Sequence, residues 1–151
     1  MHLVESFQGR AKVVDAVLKS PQWPKTVLIF LYDEHGGFHD SMPPPKACEP
    51  DAFRPKGDDA RRFDHLGFRT PFVVVSPFAK RGYVSHEPID HTSVTRFVEL
   101  RFGLKALTAR DANAWPLLDL FDWSKPDLSI PSLPAAVVDP AKNAQCKIDF
   151  P

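Results

Sequence analysis

Two short apolar runs, each set off by proline, constrain this chain more than any other feature. Thr26-Val27-Leu28-Ile29-Phe30-Leu31-Tyr32 follows Pro24, and Phe72-Val73-Val74-Val75-Ser76 lies between Pro71 and Pro77. Both runs are continuous, rich in β-branched and aromatic residues and short, so each predicts a strand buried on both faces. Pro77 stops the second run because a proline has no N–H to give to a ladder. Ahead of the first run, Ala11, Val14 and Leu18 recur at three- and four-residue steps between Gly9 and Lys19, with Val13 and Val17 beside them. That spacing predicts an amphipathic helix ended by Ser20-Pro21. Helix followed by buried strand is the rhythm of an α/β fold, and the two strands are expected to run parallel. Two strands are few for a free-standing α/β domain, so the chain reads as a portion of a larger sheet.

Further along, Asp90 or Thr92 is placed to cap a helix ending at Gly103, with Val94, Phe97, Val98 and Phe102 expected on its inward face. Another helix is predicted over Arg110 to Leu120, with Pro116 positioned to break or kink it. Gly82 marks a turn. The chain has 16 prolines in 151 residues, about twice the ~5% average, which demands irregular backbone. The stretch from Met42 to about Asp64 therefore reads as a long loop, and Lys125 to Pro140 as an extended tail over the surface. The expected division is a folded part over residues 1–122 and a Pro-rich tail over 123–151.

Lysine plus arginine (19) equals aspartate plus glutamate (19), so no broad basic field exists to attract nucleic acid. The apolar runs fall far short of the ~20 residues of a transmembrane helix. Met1 to Ser6 lack the basic and apolar regions of a signal peptide. Cys48 and Cys146 match no zinc spacing. They are compatible with a disulfide in an exported protein or with two unrelated thiols.

Directly after the first strand stands Asp33-Glu34-His35-Gly36-Gly37. The C-terminal ends of strands are where open α/β sheets place ligands. Two carboxylates and an imidazole are ligands for a divalent cation, and a cation neutralises phosphate charge during displacement. Successive strand residues point to opposite faces, so Asp33 and Glu34 converge on one ion only where the backbone leaves the strand. The two glycines permit such a departure. By spacing alone, a polar turn is an equal alternative.

A longer pattern carries a resemblance. Ser20-Pro21-Gln22-Trp23-Pro24-Lys25-Thr26, the strand, Tyr32-Asp33-Glu34-His35-Gly36-Gly37-Phe38 and Pro43-Pro44-Pro45 are followed by Gly67-Phe68-Arg69-Thr70-Pro71, Ser76-Pro77-Phe78-Ala79, Gly82-Tyr83-Val84-Ser85-His86 and Asp90-His91-Thr92-Ser93. Over roughly residues 1–122 this resembles the C-terminal portion of the phosphoesterase family of bacterial and plant phospholipases C and acid phosphatases. The resemblance implies a three-layer α/β fold like that of alkaline phosphatase, of which this chain is the C-terminal part. It implies one divalent metal ion held by Asp33 and Glu34. His35 is implied as a phosphate contact or as a group orienting a carboxylate, and His91 as a second catalytic candidate, although capping by Asp90 or Thr92 explains the Asp-His-Thr-Ser sequence as well. Arg69 and Arg81 are candidate phosphate contacts. His39 and Ser41 depart from the family's Tyr-Asp-His sequence, while Asp40 keeps it.

The family's hydroxyl nucleophile and a Glu-Asn ligand segment belong near the family's N-terminus, and no Glu-Asn pair occurs here. The expected function is therefore metal-dependent hydrolysis of phosphoric esters, phospholipid or monoester, with this chain supplying half of the site. Its expected partner is the missing N-terminal half or another copy of the chain. The alternative is a non-catalytic homologue acting as a structural or interaction module. A zinc peptidase is disfavoured because no His-Glu-x-x-His sequence is present. Export to the periplasm or beyond is expected if the full-length protein carries a signal.

Overall fold

The structure, a computed structural model, describes residues 3–53, 63–133 and 141. Helix α1 spans Leu3–Leu18, and the chain leaves it through bonds from the Lys19 amide to the Asp15 carbonyl and from the Ser20 amide to the Val17 carbonyl. A single 3₁₀ turn, Trp23–Lys25, follows with Pro24 inside its first turn, where a missing N–H costs nothing. Leu18 and Trp23 are both buried, so this corner anchors the start of the first strand.

Strands β1 (Leu28–Leu31) and β2 (Phe72–Val75) pair in antiparallel register, Leu28 opposite Val75 and Leu31 opposite Phe72. The expected parallel arrangement is thus corrected. A parallel pair needs a crossover that returns the chain to its starting end. Here the excursion between the strands leaves and returns at the same end, where the Tyr32 amide donates to the Pro71 carbonyl at 3.3 Å. Burial on both faces is corrected as well: every residue of β1 is half-buried, and Val73 is exposed. Among the described residues no third strand joins the pair. The architecture is a mixed one of helices around a two-stranded sheet, compatible with part of an α/β domain.

Helix α2 (His91–Phe102) begins with a reciprocal cap: the Asp90 carboxylate accepts from the Ser93 amide, and the Ser93 hydroxyl accepts from the Asp90 amide. It ends at Gly103 (φ 65°), a left-handed position that glycine takes without a Cβ penalty. The inward face differs from the expected one. Ser93 and Glu99 are buried, whereas Val98 and Phe102 turn outward. Glu99 lies beside Asp111, the buried residue of the short helix α3 (Ala109–Ala112) against which α2 packs, and Ser93 is buried in the cap at Asp90. The predicted helix over Arg110 to Leu120 is divided: α3 stops at Ala112, and a 3₁₀ turn follows at Leu118–Leu120. Between them Leu117 sits at φ 62° with no exposed surface. Burial of its side chain compensates a conformation that is costly for leucine.

Phe121 closes the core. Its ring stacks on Phe97 of α2 at 5.3 Å and on Trp123 at 4.7 Å, and Trp123 in turn meets Phe78 at 5.1 Å. Residues 125–133 form no helix or strand, as expected for the tail, and the Asp127 amide binds the Pro77 carbonyl at 2.7 Å. The rest of the tail lies outside the described residues apart from Ala141. Cys48 is free, with its thiol 3.4 Å from the Ala109 carbonyl; Cys146 lies outside the described residues.

Glu99 and Asp111 form a buried acidic pair with opposed titration. Burial works against ionisation of Asp111, yet hydrogen bonds from Thr108, from Glu99 and from the Leu107 and Thr108 amides outweigh it and hold the carboxyl below the usual range. Asp111 pushes the Glu99 carboxyl up, burial adds to this, and Arg96 at 3.4 Å pulls the other way. Glu99 Oε1 is buried without a hydrogen-bond partner among the described residues. A raised folded-state pKa stabilises the fold fully below the unfolded value, about 4.3, and this contribution is lost as pH rises through the folded value. Glu99→Gln keeps a permanent donor toward Asp111. Its melting temperature should exceed that of the wild type near pH 7.5 and converge with it near pH 4, by the same linkage. Calorimetric melts at the two pH values check this; a lower melting temperature at pH 7.5 means that the Arg96 ion pair dominates.

Candidate functional site

The excursion from β1 to β2 is a cross-linked pair of arms. The first link is Tyr32 to Pro71. The second joins Asp40 to Arg69, whose backbone amide (3.0 Å), Nε (2.9 Å) and Nη2 (2.6 Å) all donate to the one carboxylate. The third is an antiparallel bridge between Lys46 and His65, in which Ala47 donates to the Asp64 carbonyl at 2.7 Å and Leu66 to the Pro45 carbonyl at 2.9 Å. Between the first two links one arm has residues 33–39 and the other has only Thr70. The excess length is extruded as a bulge, and Asp33, Glu34 and His35 are on it.

Local chemistry shapes the bulge. Gly36 (φ 66°) and Gly37 (φ 78°) occupy the left-handed region in succession, and the Phe38 amide returns to the His35 carbonyl at 3.2 Å. Two positive φ angles in a row are tolerated by few residues other than glycine. The backbone leaves the strand after Leu31 and turns at the two glycines. Asp33 and Glu34 are exposed, and among the described residues neither makes a hydrogen bond or an ion pair. His35 is half-buried, its ring edge-on to Phe68 at 4.9 Å.

His91, the first residue of α2, places Nε2 2.8 Å from the Tyr32 carbonyl. A carbonyl only accepts, so Nε2 carries the proton in this contact. The histidine thus fastens the N-terminus of α2 to the residue preceding Asp33. Tyr32 is held from other sides too, its hydroxyl accepting from Arg10 at 3.2 Å while the Arg10 guanidinium lies 5.2 Å from its ring centroid.

Beside the bulge lies an open hollow of about 430 Å³ lined by His35, Phe38, His39, Asp40, Arg69, Thr70 and Pro71. His35 and His39 therefore share one rim although His39 departs from the family pattern. The two arginines singled out as phosphate contacts both have carboxylate partners, Arg69 with Asp40 and Arg81 with Asp127 and with the Ser129 hydroxyl at 2.8 Å. Hydrogen bonds from the Arg69 side chain, the Met42 amide and the Arg69 amide hold the Asp40 carboxyl well below the usual carboxylate range. The Asp40–Arg69 fork is the feature of this region that sequence reasoning missed. The two residues are 29 positions apart, with no spacing rule to join them.

The donor chemistry of Asp33 and Glu34 suits a divalent cation: two hard oxygen ligands, adjacent, exposed and uncommitted. Among the described residues no group of three or more His, Cys, Asp or Glu side chains is gathered to hold an ion.

Comparison with known proteins bears on the whole segment. The sequence profile described as the phosphoesterase family matches residues 8–105. The chain is 38% identical over 113 residues to non-specific phospholipase C1 of Arabidopsis thaliana, covering 67% of this chain and 21% of that protein. It is 36% identical to phospholipase C B of Mycobacterium tuberculosis, covering 84% of this chain and 29% of the relative. It is 34% identical to the non-hemolytic phospholipase C of Pseudomonas aeruginosa, covering 92% of this chain and 23% of the relative. The chain thus spans between a fifth and a third of the length of these relatives. Among the described residues no helix is long and apolar enough to cross a membrane.

Proposed function

The chain belongs to the phosphoesterase family, and from that premise we propose that it supplies the metal-ligating part of a site that hydrolyses phosphoric esters, phospholipids among them. One observation carries the proposal: the exposed, uncommitted Asp33 and Glu34 stand on a bulge extruded at the end of β1, within the matched residues. Asp33 and Glu34 would hold one divalent ion, which when bound supplies charge neutralisation at phosphate. His35, on the rim of the adjoining hollow, is placed to contact phosphate or to orient a carboxylate. His91 fixes the residue before Asp33 through its bond to the Tyr32 carbonyl. The remaining ligands and the hydroxyl nucleophile come from outside these residues, as does the rest of the three-layer alkaline-phosphatase-like sheet. The half-buried strand pair and the exposed Val73 support that assignment: sheet faces and edges of this kind are normally covered.

The second function class, a non-catalytic interaction module, is favoured by no specific observation beyond the short coverage of the relatives. An assay on the 151-residue chain tests the proposal. With manganese, zinc or calcium it should turn over p-nitrophenylphosphorylcholine and p-nitrophenyl phosphate at no more than background. Robust turnover that Asp33→Ala abolishes would contradict the placing of the nucleophile outside the chain.

A further inference from the structure

We infer that the Asp40–Arg69 fork is a positioning device that sets the geometry of the Asp33–Glu34 bulge. This inference rests on the metal-ligand assignment for its purpose, although not for its geometry. Seven residues, 33–39, are held opposite the single residue Thr70, so the shape of the bulge depends on both of its ends being fixed. The near end is fixed at Tyr32 by its amide bond to the Pro71 carbonyl and by His91 on its carbonyl. The far end is fixed at Asp40, which receives the Arg69 amide, Nε and Nη2, while a further bond from the Met42 amide at 3.0 Å turns the chain onward. The carboxylate side chain is 8% exposed, whereas that of Arg69 is 70% exposed, so the acid is the buried partner and the arginine lies over it.

Without this link the next tie between the arms is the Lys46–His65 bridge. The free segment would then extend from residue 33 to residue 44 on one arm and from 67 to 70 on the other, up to the Leu66–Pro45 bond of that bridge. A longer closed loop samples more conformations, and two ligands six and seven residues from the clamp would lose their common direction. The planar fork matters as well as the charge. A lysine at position 69 keeps the positive charge and forfeits the paired donors.

Nitrogen-15 relaxation on the 151-residue chain tests this directly, with manganese affinity as a second readout. In the wild type, Gly36, Gly37 and Phe38 should show order parameters near 0.85, the rigid-backbone value, and in Asp40→Ala, Arg69→Ala and Arg69→Lys they should fall below about 0.6. The amides of α2 serve as the internal control for folding and should not change. The double variant Asp40→Ala/Arg69→Ala should be no more mobile than either single one, as expected for two halves of one interaction. Manganese affinity should fall about 10–100-fold in the same variants, the usual cost of losing a group that supports a metal ligand. If the wild type binds no manganese while the relaxation changes follow as stated, the ligand assignment fails and the positioning stands. Order parameters over 33–39 that stay high in Arg69→Lys and Asp40→Ala, or that are already low in the wild type, overturn the inference.

Discussion

Calorimetric titration of the Asp33→Ala/Glu34→Ala variant with manganese should show no specific binding, against a saturable signal for the wild type. The expected loss is complete because both hard oxygen donors that this chain offers at the bulge are removed together, and a divalent ion held by water and one imidazole has little to retain it. The substitution should leave the fold intact. Both side chains are exposed, and neither is engaged in a hydrogen bond or ion pair among the described residues; changes at such positions usually alter stability by less than about 0.5 kcal/mol. Unchanged melting together with lost binding therefore separates a ligand role from a structural one. Where the chain forms part of an active assembly, the same variant should lower phosphoester turnover by at least ~10²–10³-fold, since charge stabilisation by a metal is worth several kcal/mol. Equal manganese affinity in the two proteins would remove Asp33 and Glu34 from the site.

Phe121→Ala should destabilise the fold by about 3–5 kcal/mol, the usual cost of truncating a buried phenylalanine. Phe121 is 5% exposed and stacks on both Phe97 and Trp123. Its backbone also matters to the architecture, since it forms the bridge with Ala79 and thereby joins the segment after β2 to the region beyond Pro116. Removing the ring leaves a cavity between α2 and that region and deprives two aromatic neighbours of their partner. For a chain of this length the loss corresponds to a fall in melting temperature of roughly 6–20 °C, measured by circular dichroism at 222 nm. Phe121→Leu should recover much of the loss because it restores apolar volume. A shift below about 2 °C for the alanine variant, under one kcal/mol on the same scale, would mean that the stack is peripheral to the core.

Local signals in the sequence located most elements. The three-and-four spacing before Lys19, the Asp90 cap, Gly103 after α2 and the strand runs all correspond to observed features, because each is decided by residues within one or two turns of itself. Direction and burial were less legible. Continuous apolar runs state that a strand is apolar on both sides, and they do not state which neighbour it pairs with or what covers it, so antiparallel β1 and β2 with an exposed Val73 could not be read from them. The inward face of α2 is hard to read from the sequence for a related reason. Hydrophobicity favours Val98 and Phe102, yet the neighbour is α3, whose buried Asp111 lies beside Glu99, while Ser93 is buried in the cap at Asp90.

The candidate site was legible in composition and illegible in support. Asp33, Glu34 and the two glycines stand in one short run, whereas the groups that hold that run come from Arg69 and His91, 29 residues from Asp40 and 59 from Tyr32. Arg69 read as a possible contact to phosphate because a guanidinium suits phosphate oxygens. In the structure it serves a carboxylate of the same chain. Long-range pairs of this kind have no local signature, and a single sequence gives no means of matching one charge to another.

Anomalous diffraction from crystals of the chain grown with manganese tests the central claim most directly. The account predicts a manganese peak at the bulge, with carboxylate oxygens of both Asp33 and Glu34 about 2.0–2.6 Å away, the range of hard cations with oxygen ligands. A strong peak elsewhere on the molecule, with the bulge empty at a saturating manganese concentration, would contradict it.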